Sequence, residues 1–534
     1  MRKTIYLLFF IIFLLLPDSV YAACDGSTSG SSPNLTAYDC SYDCVNLAVN
    51  TDAVAGDTVN IPAGGATWSS KLYITKGITL QGAGIDLTTI TSNISDTGSC
   101  IITIIPDATS ISADATFRVT GFTFDGDWKS GGLRVAQTAE LDTAPANIRI
   151  DHNKFFECNS RGVQFGEGVV YGLVDNNQFI DCLKSVDSYG VYWYTWDRHP
   201  LTLGAVTSVY IEDNIITITE GSSALGITSG GHGGRYVFRY NTISMPSYYM
   251  ALWDIHGNNG AVVDYGACPD CATGTSSCCL NNRGAIVGEI YRNTITVKRN
   301  TRSLDLRGGT GIVFDNVITS TPSTYTLTLV MREEDAPYDH NIRSAWPAYD
   351  QVKDTYIWNN TNNGTEIVPR CYNADPTTGD ALFIQLNRDY WNYNSSFDGT
   401  SGMGVGTLAN IPGTCTAGVG YWAIDQGSWN VLGDDGVLYK CTSTNNWEIY
   451  YTPYTYPHPL RDDGCGDGVC GAGECISGCT DDCSVENCCG IEGCNVAIGE
   501  TIGNCPGDCS EDPPPVESGA PGLSSVGYQG VSIN

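Results

Sequence analysis

Apolar and polar residues alternate along most of this chain, and an asparagine interrupts the alternation at intervals. In the segment that begins at residue 148 (IRIDHNKFFEC), Ile148 and Ile150 precede the asparagine and Phe155 follows it. A period of two is that of a β-strand with one buried face. Similar segments recur down the chain, and their asparagines are Asn153, Asn177, Asn214, Asn241, Asn293 and Asn316. The pattern predicts repeated pairs of short strands joined by a tight bend.

The spacing of these asparagines indicates a solenoid. The shortest steps, from Asn153 to Asn177 and from Asn293 to Asn316, match one coil of a β-helix. The longer steps match a coil with a loop insertion, or two coils. An antiparallel protein with unrelated turn asparagines is the alternative, but hairpin turns favour Asn-Gly pairs and closer spacing. We therefore predict an all-β fold, a right-handed parallel β-helix.

Asparagine suits such a bend for two reasons. It tolerates the left-handed backbone conformation, and its side-chain amide bonds to the next asparagine in a stack. A ladder of asparagines is therefore expected. Cys158 and Cys182 follow consecutive ladder asparagines at the same offset, so they should lie one above the other at about 4.8 Å. That distance permits a disulfide.

Segments nearer the N-terminus carry the same alternation with glycine bends. They are GDTVNIPAGGATWSSKLYITKGITLQGAG (residues 56–84) and FRVTGFTFDG (residues 117–126). Here the chain resembles the pectin-lyase-like family of right-handed β-helix proteins, over roughly residues 45–370. The resemblance implies a β-helix with an N-terminal cap, for which we take the bounds 23–370. It implies no single chemistry, because that superfamily includes lyases, hydrolases, phage tailspikes and adhesins.

An aromatic-rich region over residues 371–460 follows the predicted coils. We predict a small β module that closes the open end of the solenoid, since an uncapped sheet edge invites aggregation. Cys415 and Cys441 are expected to form a disulfide within it. An alternative is a sugar-stacking platform formed by its tryptophans, Trp422, Trp429 and Trp447.

The C-terminal part of the chain has a different composition. Residues 461–510 contain two related cysteine-rich units, CGDGVCGAGECISGCTDDC and CGIEGCNVAIGETIGNCPGDC. We predict that they form a double repeat stapled by disulfides. Residues 511–534 are rich in proline, glycine and serine, and are predicted to be disordered.

Residues 1–22 have the features of a signal peptide. Arg2 and Lys3 precede an apolar run, and Ala22 precedes the predicted cleavage site. The protein is therefore expected to be secreted or held at the cell surface. A lipoprotein signal that acylates Cys24 is the alternative. No later stretch is long and apolar enough to cross a bilayer, so no membrane insertion is expected.

Charge and cysteine content narrow the candidate partners. The formal net charge is −31, which repels nucleic acid and anionic membranes outside any local basic patch. We therefore expect no nucleic-acid partner. In an oxidising compartment the 23 cysteines should form disulfides, and their odd number leaves at least one over. The same argument favours disulfides over zinc in residues 268–279, CPDCATGTSSCC.

Strand alternation identifies candidate functional side chains on the outside of the solenoid. In LWDIHG (residues 252–257), Trp253 and Ile255 should point inward, which leaves Asp254 and His256 outside. In the next predicted coil, LDLRGG (residues 304–309), the same reasoning places two leucines inside and two charged residues outside. The outward residues of that coil are Asp305 and Arg307.

The offsets of these residues from the asparagine ladder place them in one column. His256 should stack near Arg307, and Asp254 near Asp305; the following coil adds Arg332 to the basic side. A basic column on so acidic a protein favours a bound anion. The other hypothesis is that each arginine pairs with a neighbouring carboxylate in a surface ladder. If the first hypothesis holds, Asp254, His256, Asp305 and Arg307 are the candidate catalytic residues and Arg332 binds substrate.

Several chemistries suit such a column. Two aspartates about 5 Å apart raise one another's pKa or share a cation, so Asp254 and Asp305 are also candidate Ca²⁺ ligands. Their spacing is near that of the paired carboxylates of retaining glycosidases. With a uronate substrate, an arginine or histidine is suited to abstract the proton beside the carboxylate. An aromatic run nearer the N-terminus either extends the groove by stacking on sugars or packs under a loop: Tyr192, Tyr194 and Trp196.

Two short motifs resemble parts of known active sites. Asp151 and His152 match the vWiDH segment of pectate lyases, although Arg149 replaces its aromatic residue and the arginine-rich motif of that family has no match. SGGHGG (residues 229–234) resembles the Gly-His-Gly of polygalacturonases at His232, without their paired aspartate motif. We interpret His232 as a structural or loop-lining residue.

Together these features favour a secreted β-helix protein that engages an extracellular, acidic polysaccharide, as a polysaccharide lyase or a glycoside hydrolase. The alternative is a non-catalytic cell-surface adhesin or structural stalk. A lyase predicts a cleft with closely set Asp, His and Arg side chains. An adhesin predicts an even face without perturbed titratable groups.

Overall fold

A computed structural model of the protein describes residues 24, 28–94, 99–136, 144–166, 168–189, 201–219, 226–245, 252–257, 284–298, 302–321, 328–331, 351–371 and 380–461. The chain divides into two compact units, Met1–Thr455 and Tyr456–Asn534. The described part of the second unit contains a 3₁₀-helix, Pro459–Arg461. Within the described ranges, no helix is long and apolar enough to span a membrane.

The alternating segments form three long sheets, here called A, B and C, and successive strands enter them in the order A, B, C. The strands of sheet A are Ser29–Ser31, Asn34–Thr36, Thr58–Ile61, Thr79–Gly82, Phe117–Thr120, Ile148–Asp151, Gly172–Asp175, Val209–Glu212, Arg235–Arg239, Val287–Tyr291, Thr310–Phe314, Thr355–Trp358 and Tyr390–Asn392. Those of sheet B are Gly64–Trp68, Thr88–Ser92, Thr123–Asp125, Lys154–Phe156, Gln178–Ile180, Ile215–Thr217, Thr242–Met245, Thr294–Val297, Val317–Ser320, Thr361–Asn362 and Thr365–Glu366. Those of sheet C are Leu72–Ile74, Cys100–Ile104, Gly131–Ala136, Arg161–Gly166, Lys184–Tyr189, Thr228–Gly231, Trp253–Ile255, Arg302–Leu306, Thr328–Met331 and Arg370–Cys371.

Neighbouring strands in these sheets are parallel, except for one pair at an end of sheet A and one at an end of sheet B. Each coil therefore adds one strand to each sheet, which is a solenoid topology consistent with a β-helix. Helices in the described chain are short: Tyr42–Leu47, the π-helix Ala48–Asp52, Ala108–Ser112, Asp380–Phe383 and the 3₁₀-helix Leu408–Asn410. The mostly β, parallel class agrees with the alternation of the sequence, and its handedness stays a prediction.

The asparagine ladder lies at the bend between sheets A and B. The backbone amide of Asn153 donates to Oδ1 of Asn177 at 3.0 Å, and the contact repeats from coil to coil. Asn360 extends the ladder by one member. The left-handed residue is not the asparagine but the residue before it, for example His152 at φ 51°. The ladder amides are thus free of backbone strain and serve to satisfy buried polar groups.

Interior side chains stack in the same register as the strands. The rings of Phe124, Phe155 and Phe179 lie on successive strands of sheet B, with centroids 5.5 and 5.0 Å apart. All three are buried in one continuous core. The stacked rings bury large apolar areas while keeping the chain regular.

Disulfides link residues that the fold brings together. The predicted bonds between Cys158 and Cys182 and between Cys415 and Cys441 are present. A third bond joins Cys24 to Cys44. That bond uses the sulfur which the lipoprotein alternative requires, so the structure disagrees with acylation of Cys24.

A fourth sheet, D, belongs to the region after the coils. Its strands are Met403–Gly406, Gly420–Ala423, Val437–Ser443 and Asn446–Tyr451. The sheet lies against the outer face of sheet A: Trp422 contacts Phe314 and Trp358, with ring centroids 5.0 Å apart in both pairs. Sheet D therefore covers the flank of the last coils.

This position contradicts the platform hypothesis for two of the three tryptophans. Trp422 is 2% exposed and Trp429 is 4% exposed. Trp429 packs edge-on against Tyr291 of sheet A. The indole of Trp447 is partly buried and donates to the carbonyl of Pro412. Trp422 and Trp429 bury their apolar faces against the solenoid. The three tryptophans are therefore not available to stack on sugars as a group.

Burial of the outer face of sheet A brings charges into the interior. Arg239 is fully buried, and it donates to Glu212 at 2.7 Å and to the carbonyls of Tyr454 and Thr455 at 2.7 and 2.8 Å. Paired and fully hydrogen-bonded charges of this kind are tolerated in an interior, whereas unpaired ones are not. At these coils the outer face of sheet A is thus occupied by structural ion pairs and by sheet D.

Candidate active site on sheet C

The outward residues of sheet C form a row across successive coils. Asp187 is the register partner of Ser229, Ser229 of Asp254, and Asp254 of Asp305. Adjacent strands lie about 4.8 Å apart, so these polar groups follow one another along the solenoid. The predicted register of Asp254 with Asp305 is confirmed.

The predicted inward residues of the same strands are also buried. Trp253, Ile255, Leu304 and Leu306 each have an exposed fraction of 0% and belong to the core. They anchor the strands from which the polar row projects. The outer side chains can therefore change without loss of the main apolar contacts.

Arg307 is bonded to the previous coil. Its Nε donates to Oδ1 of Asp254 at 2.9 Å, and its Nη2 donates to Oδ2 at 2.5 Å. The side chains of the arginine and the aspartate are 11% and 17% exposed. At this position the structure therefore agrees with the second hypothesis, in which each arginine pairs with a neighbouring carboxylate. The pair also holds the guanidinium in a fixed orientation on the outer face.

The remaining predicted residues are placed as follows. Nδ1 of His256 lies 3.1 Å from the carbonyl oxygen of Gly257, which makes Nδ1 the donor in that contact. Asp305 is 4% exposed. Four residues lie outside the described ranges, so their predicted roles stay predictions: Arg332, Tyr192, Tyr194 and Trp196.

Tyr189 lies over the same row, one coil before Ser229. Its hydroxyl is 2.9 Å from the hydroxyl of Ser229. Its ring packs on Gly231, where an added Cβ would come within 2.7 Å of ring carbon Cε1. Burial and the charge of Asp187 raise the pKa of the Tyr189 phenol. The phenol is therefore protonated at neutral pH.

His232 meets this tyrosine edge to face. The ring centroids are 5.2 Å apart and the planes are at 82°. Burial lowers the pKa of His232 to about 4, and the nearby His256 contributes. At neutral pH the imidazole is therefore uncharged and able to accept a proton. The sequence-based interpretation of His232 as loop-lining placed it correctly in a turn, with φ 52°, but did not connect it to Tyr189.

The turn that contains His232 is short compared with its neighbours. Strand Thr228–Gly231 of sheet C is followed by a strand of sheet A that begins at Arg235. The previous coil connects the same two sheets over residues 190–208, and the next over residues 256–286. The connection that contains His232 is thus three residues long, whereas the connections before and after it are 19 and 31 residues long.

Two basic side chains approach Tyr189: Lys184 from the start of the same strand, and Arg161 from the preceding coil. Nζ of Lys184 lies 5.6 Å from the centre of the tyrosine ring, and Cζ of Arg161 lies 6.0 Å from it. Both cations pair with Asp187, at 3.6 Å from Lys184 and 2.7 Å from Arg161. Burial alone would lower the pKa of Lys184, but the charge of Asp187 raises it on balance. Both side chains therefore stay cationic.

Lys184 lies where the hydrogen-bond ladder of its strand is irregular. The amides of Ser185 and Val186 both donate to the carbonyl of Ile227, at 2.9 and 3.2 Å. This breaks the even spacing of a parallel ladder, and the register with the next strand begins at Val186. Simple alternation from Val186 predicts that Lys184 points inward, which is wrong. The same alternation correctly predicts that Asp187 and Tyr189 point outward. The signal for those two residues was present in KSVDSY.

The motif that resembles pectate lyases, Asp151 and His152, lies on another face. Asp151 ends a strand of sheet A and is fully buried. It accepts from Nε and Nη2 of Arg118 at 3.0 and 2.8 Å, and its Oδ2 lies 2.8 Å from Nδ1 of His152. Burial alone would raise the pKa of Asp151, but Arg149, His152 and Arg118 lower it on balance. These contacts make the motif part of a structural ion-pair ladder.

The described residues do not fit the predicted Ca²⁺ site. Both oxygens of Asp254 accept hydrogen bonds from Arg307. The carboxylate is therefore already paired with the guanidinium of the protein. Among the described residues no group of three or more His, Cys, Asp or Glu side chains is set to hold a metal ion. Calcium ordinarily takes six to eight oxygen ligands. The cysteines of residues 268–279 lie outside the described ranges.

Comparisons with known proteins identify no family for the chain. No protein-family model matches the sequence, and no curated protein matches it. Among solved structures, a protein of Geobacillus virus E2 (ORF18) is similar at 13% identity and a TM-score of 0.28, over 53% of this chain and 51% of that one. An alginate lyase from Paenibacillus sp. str. FPU-7 is similar at 11% identity and a TM-score of 0.29, over 54% of this chain and 93% of that one. This chain thus spans about half the length of the viral protein it matches.

Proposed function

We propose that this protein binds an acidic extracellular polysaccharide on the outer face of sheet C and cleaves it by β-elimination. The observation that carries the proposal is the edge-to-face contact between Tyr189 and His232, which puts a protonated phenol beside a neutral imidazole. Elimination next to a carboxylate requires an acceptor for the carbon-bound proton and a donor for the leaving oxygen. These two residues supply both groups.

In this proposal His232 takes the proton from the carbon that bears the uronate carboxylate. The bond from the adjacent carbon to the leaving sugar oxygen breaks, and a double bond forms between the two carbons. Tyr189 gives its hydroxyl proton to the leaving oxygen. The imidazolium then returns its proton to the phenolate, so that both residues end in their starting states. The reaction needs no oxidant, reductant or added water.

In this proposal Arg307 and His256 bind the substrate carboxylate. A guanidinium neutralises the negative charge that builds up as the proton leaves. A bound carboxylate also raises the pKa of His232 from its value of about 4, because a nearby negative charge favours the imidazolium. The base therefore becomes stronger once the substrate is in place.

Two alternative functions have less support. A retaining glycosidase needs carboxyl groups that are free to act as acid and nucleophile, whereas both oxygens of Asp254 are bonded to Arg307. An adhesin or stalk predicts a face without perturbed titratable groups. The shifted pKa values of Tyr189 and His232 do not favour that expectation.

The test is incubation with a panel of acidic and neutral polysaccharides. Ultraviolet absorbance records the unsaturated uronates that only elimination makes, and a reducing-end assay records every cleavage. We expect absorbance from at least one polyuronate, with both Tyr189→Phe and His232→Asn lowering the rate at least 100-fold, within the usual range for loss of acid-base catalysis. Reducing ends without absorbance would establish hydrolysis instead.

Matched controls separate chemistry from folding. His152→Asn changes another histidine in a left-handed turn, at φ 51° against 52° for His232, and asparagine tolerates that conformation. Tyr73→Phe changes an exposed tyrosine of an earlier strand of sheet C. Both controls should keep wild-type rates. The lyase proposal is overturned if Tyr189→Phe and His232→Asn keep them too.

A further inference from the structure

A second cluster of charges lies next to Tyr189, and its charges do not balance. Asp187 is the carboxylate partner shared by Arg161, whose Nε lies 2.7 Å from Oδ2, and Lys184, whose Nζ lies 3.6 Å from the same oxygen. Two cations thus share one directly paired anion, although the charge of Asp254 also acts on Lys184 and raises its pKa. On a chain with a net charge of −31 this is a local excess of positive charge.

The two signs differ in access to solvent. The side chains of Lys184 and Arg161 are 20% and 32% exposed, whereas that of Asp187 is 0% exposed. Oδ1 of Asp187 is buried without a hydrogen-bond partner. The carboxylate therefore lies beneath the two cations and is shielded from solvent. A ligand that approaches sheet C from outside meets the two cations first. Such a surface is complementary to an anionic group and not to a cation.

The position of the cluster relates it to the proposed reaction. Lys184 starts the strand directly before Thr228–Gly231, after which His232 follows, and Arg161 starts the strand before that. Nζ of Lys184 and Cζ of Arg161 lie 5.6 and 6.0 Å from the centre of the Tyr189 ring, and His232 contacts the same ring. The two cations are therefore adjacent to the proposed acid.

Resting on the proposed function, we propose that Lys184 and Arg161 form a second anion subsite, which binds the carboxylate or sulfate of the sugar unit next to the one that reacts. Asp187 is the positioning residue that holds the two cations. The substrate class is then a polymer with anionic groups on consecutive units. A chain with a single isolated uronate would leave this subsite without its anion.

The subsite is tested by binding, with titration calorimetry of a single uronate and of a two-unit oligouronide. Lys184→Gln removes one cation and leaves the bond between Arg161 and Asp187 to hold the fold. Lys154→Gln is the matched control, since Lys154 is a lysine of sheet B paired with Asp86 at 3.0 Å on a different face. A neutral oligosaccharide with one sulfate ester tests sulfate as the source of the anion.

We expect wild-type protein to bind the two-unit oligouronide at least tenfold more tightly than the single uronate, and Lys184→Gln to lose that difference. The affinity for the single uronate should stay unchanged, and Lys154→Gln should behave as wild type. If Lys184→Gln binds the longer ligand as tightly as wild type does, the subsite is refuted while the lyase proposal stands. If no oligouronide binds and none is cleaved, both proposals fail together.

Discussion

Arg307 and Asp254 form a two-fold hydrogen-bonded ion pair across neighbouring strands of sheet C, with distances of 2.9 and 2.5 Å. The residues are 53 positions apart in the chain, so only the coil register brings them together. A bidentate pair fixes direction as well as distance. The pair therefore aims a guanidinium at the outer face beside His256.

Replacement of Arg307 by alanine should reduce kcat/KM on an acidic polysaccharide at least tenfold, which corresponds to about 1.4 kcal/mol. Arg307→Lys keeps the charge but loses the planar fork, so it should recover only part of the activity. Leu306→Ala is the control for folding, because loss of a buried leucine costs about 2 to 5 kcal/mol. Unchanged activity in Arg307→Ala, or unfolding like that of Leu306→Ala, would contradict the assigned role.

The pH profile should report His232. Because burial lowers the pKa of this histidine to about 4, kcat/KM should rise with pH through a midpoint near that value and then level off. At lower pH the imidazole is already protonated and cannot take a proton from the substrate. Rates measured from pH 3 to 8 check this; a midpoint at the ordinary histidine value of about 6.5 would show that the base is another group.

The same histidine should make stability depend on pH. Its pKa is lower in the folded protein than the unfolded value of about 6.5, so between the two values the unfolded chain binds more protons. The contribution of His232 is thus constant above pH 6.5 and is lost as pH falls toward 4. Urea midpoints of wild type and His232→Asn should converge or cross over this interval. Parallel pH curves for the two proteins would argue against a lowered pKa.

Asn214→Ala should destabilise the solenoid. The amide nitrogen of Asn214 donates to the carbonyls of Val174 and Glu212, and its oxygen accepts from Asn177. The variant leaves these buried groups without their hydrogen-bond partners. Each unsatisfied group should lower the free energy of unfolding by about 1 to 3 kcal/mol. Asn176→Gly is the control, since Asn176 is left-handed at φ 53° and glycine accepts that conformation. Equal denaturant midpoints for the two variants would show that the ladder contributes little.

Peptide mapping without reduction should recover Cys158 linked to Cys182. Removal of both sulfurs by substitution with serine should cost about 2 to 4 kcal/mol, because the closed loop is one coil long. The loss should appear in urea unfolding under oxidising conditions and vanish when wild type is measured with reductant. Free thiols at both positions would contradict the stacking of these coils.

Sequence periodicity determined a large part of this structure. The two-residue alternation identifies buried residues such as Leu304 and Leu306, because a side chain on a strand has only two faces available. The asparagine spacing aligned coils well enough to set Asp254 beside Asp305 and Cys158 above Cys182. Both results rest on local geometry that repeats, which is the kind of order a sequence displays directly.

The tertiary structure decided what repetition does not encode. The ladder is irregular before Val186, and Lys184 reaches the outward residue Asp187, although no residue type marks this position. Tyr189 and His232 meet because a short turn follows one strand and the tyrosine ring fits over Gly231. The solvent exposure of tryptophans such as Trp422 depends on which face sheet D covers. The sequence by itself thus determined strands, ladder and register, whereas contacts between distant segments decided which polar residues form a site, because they depend on packing in three dimensions.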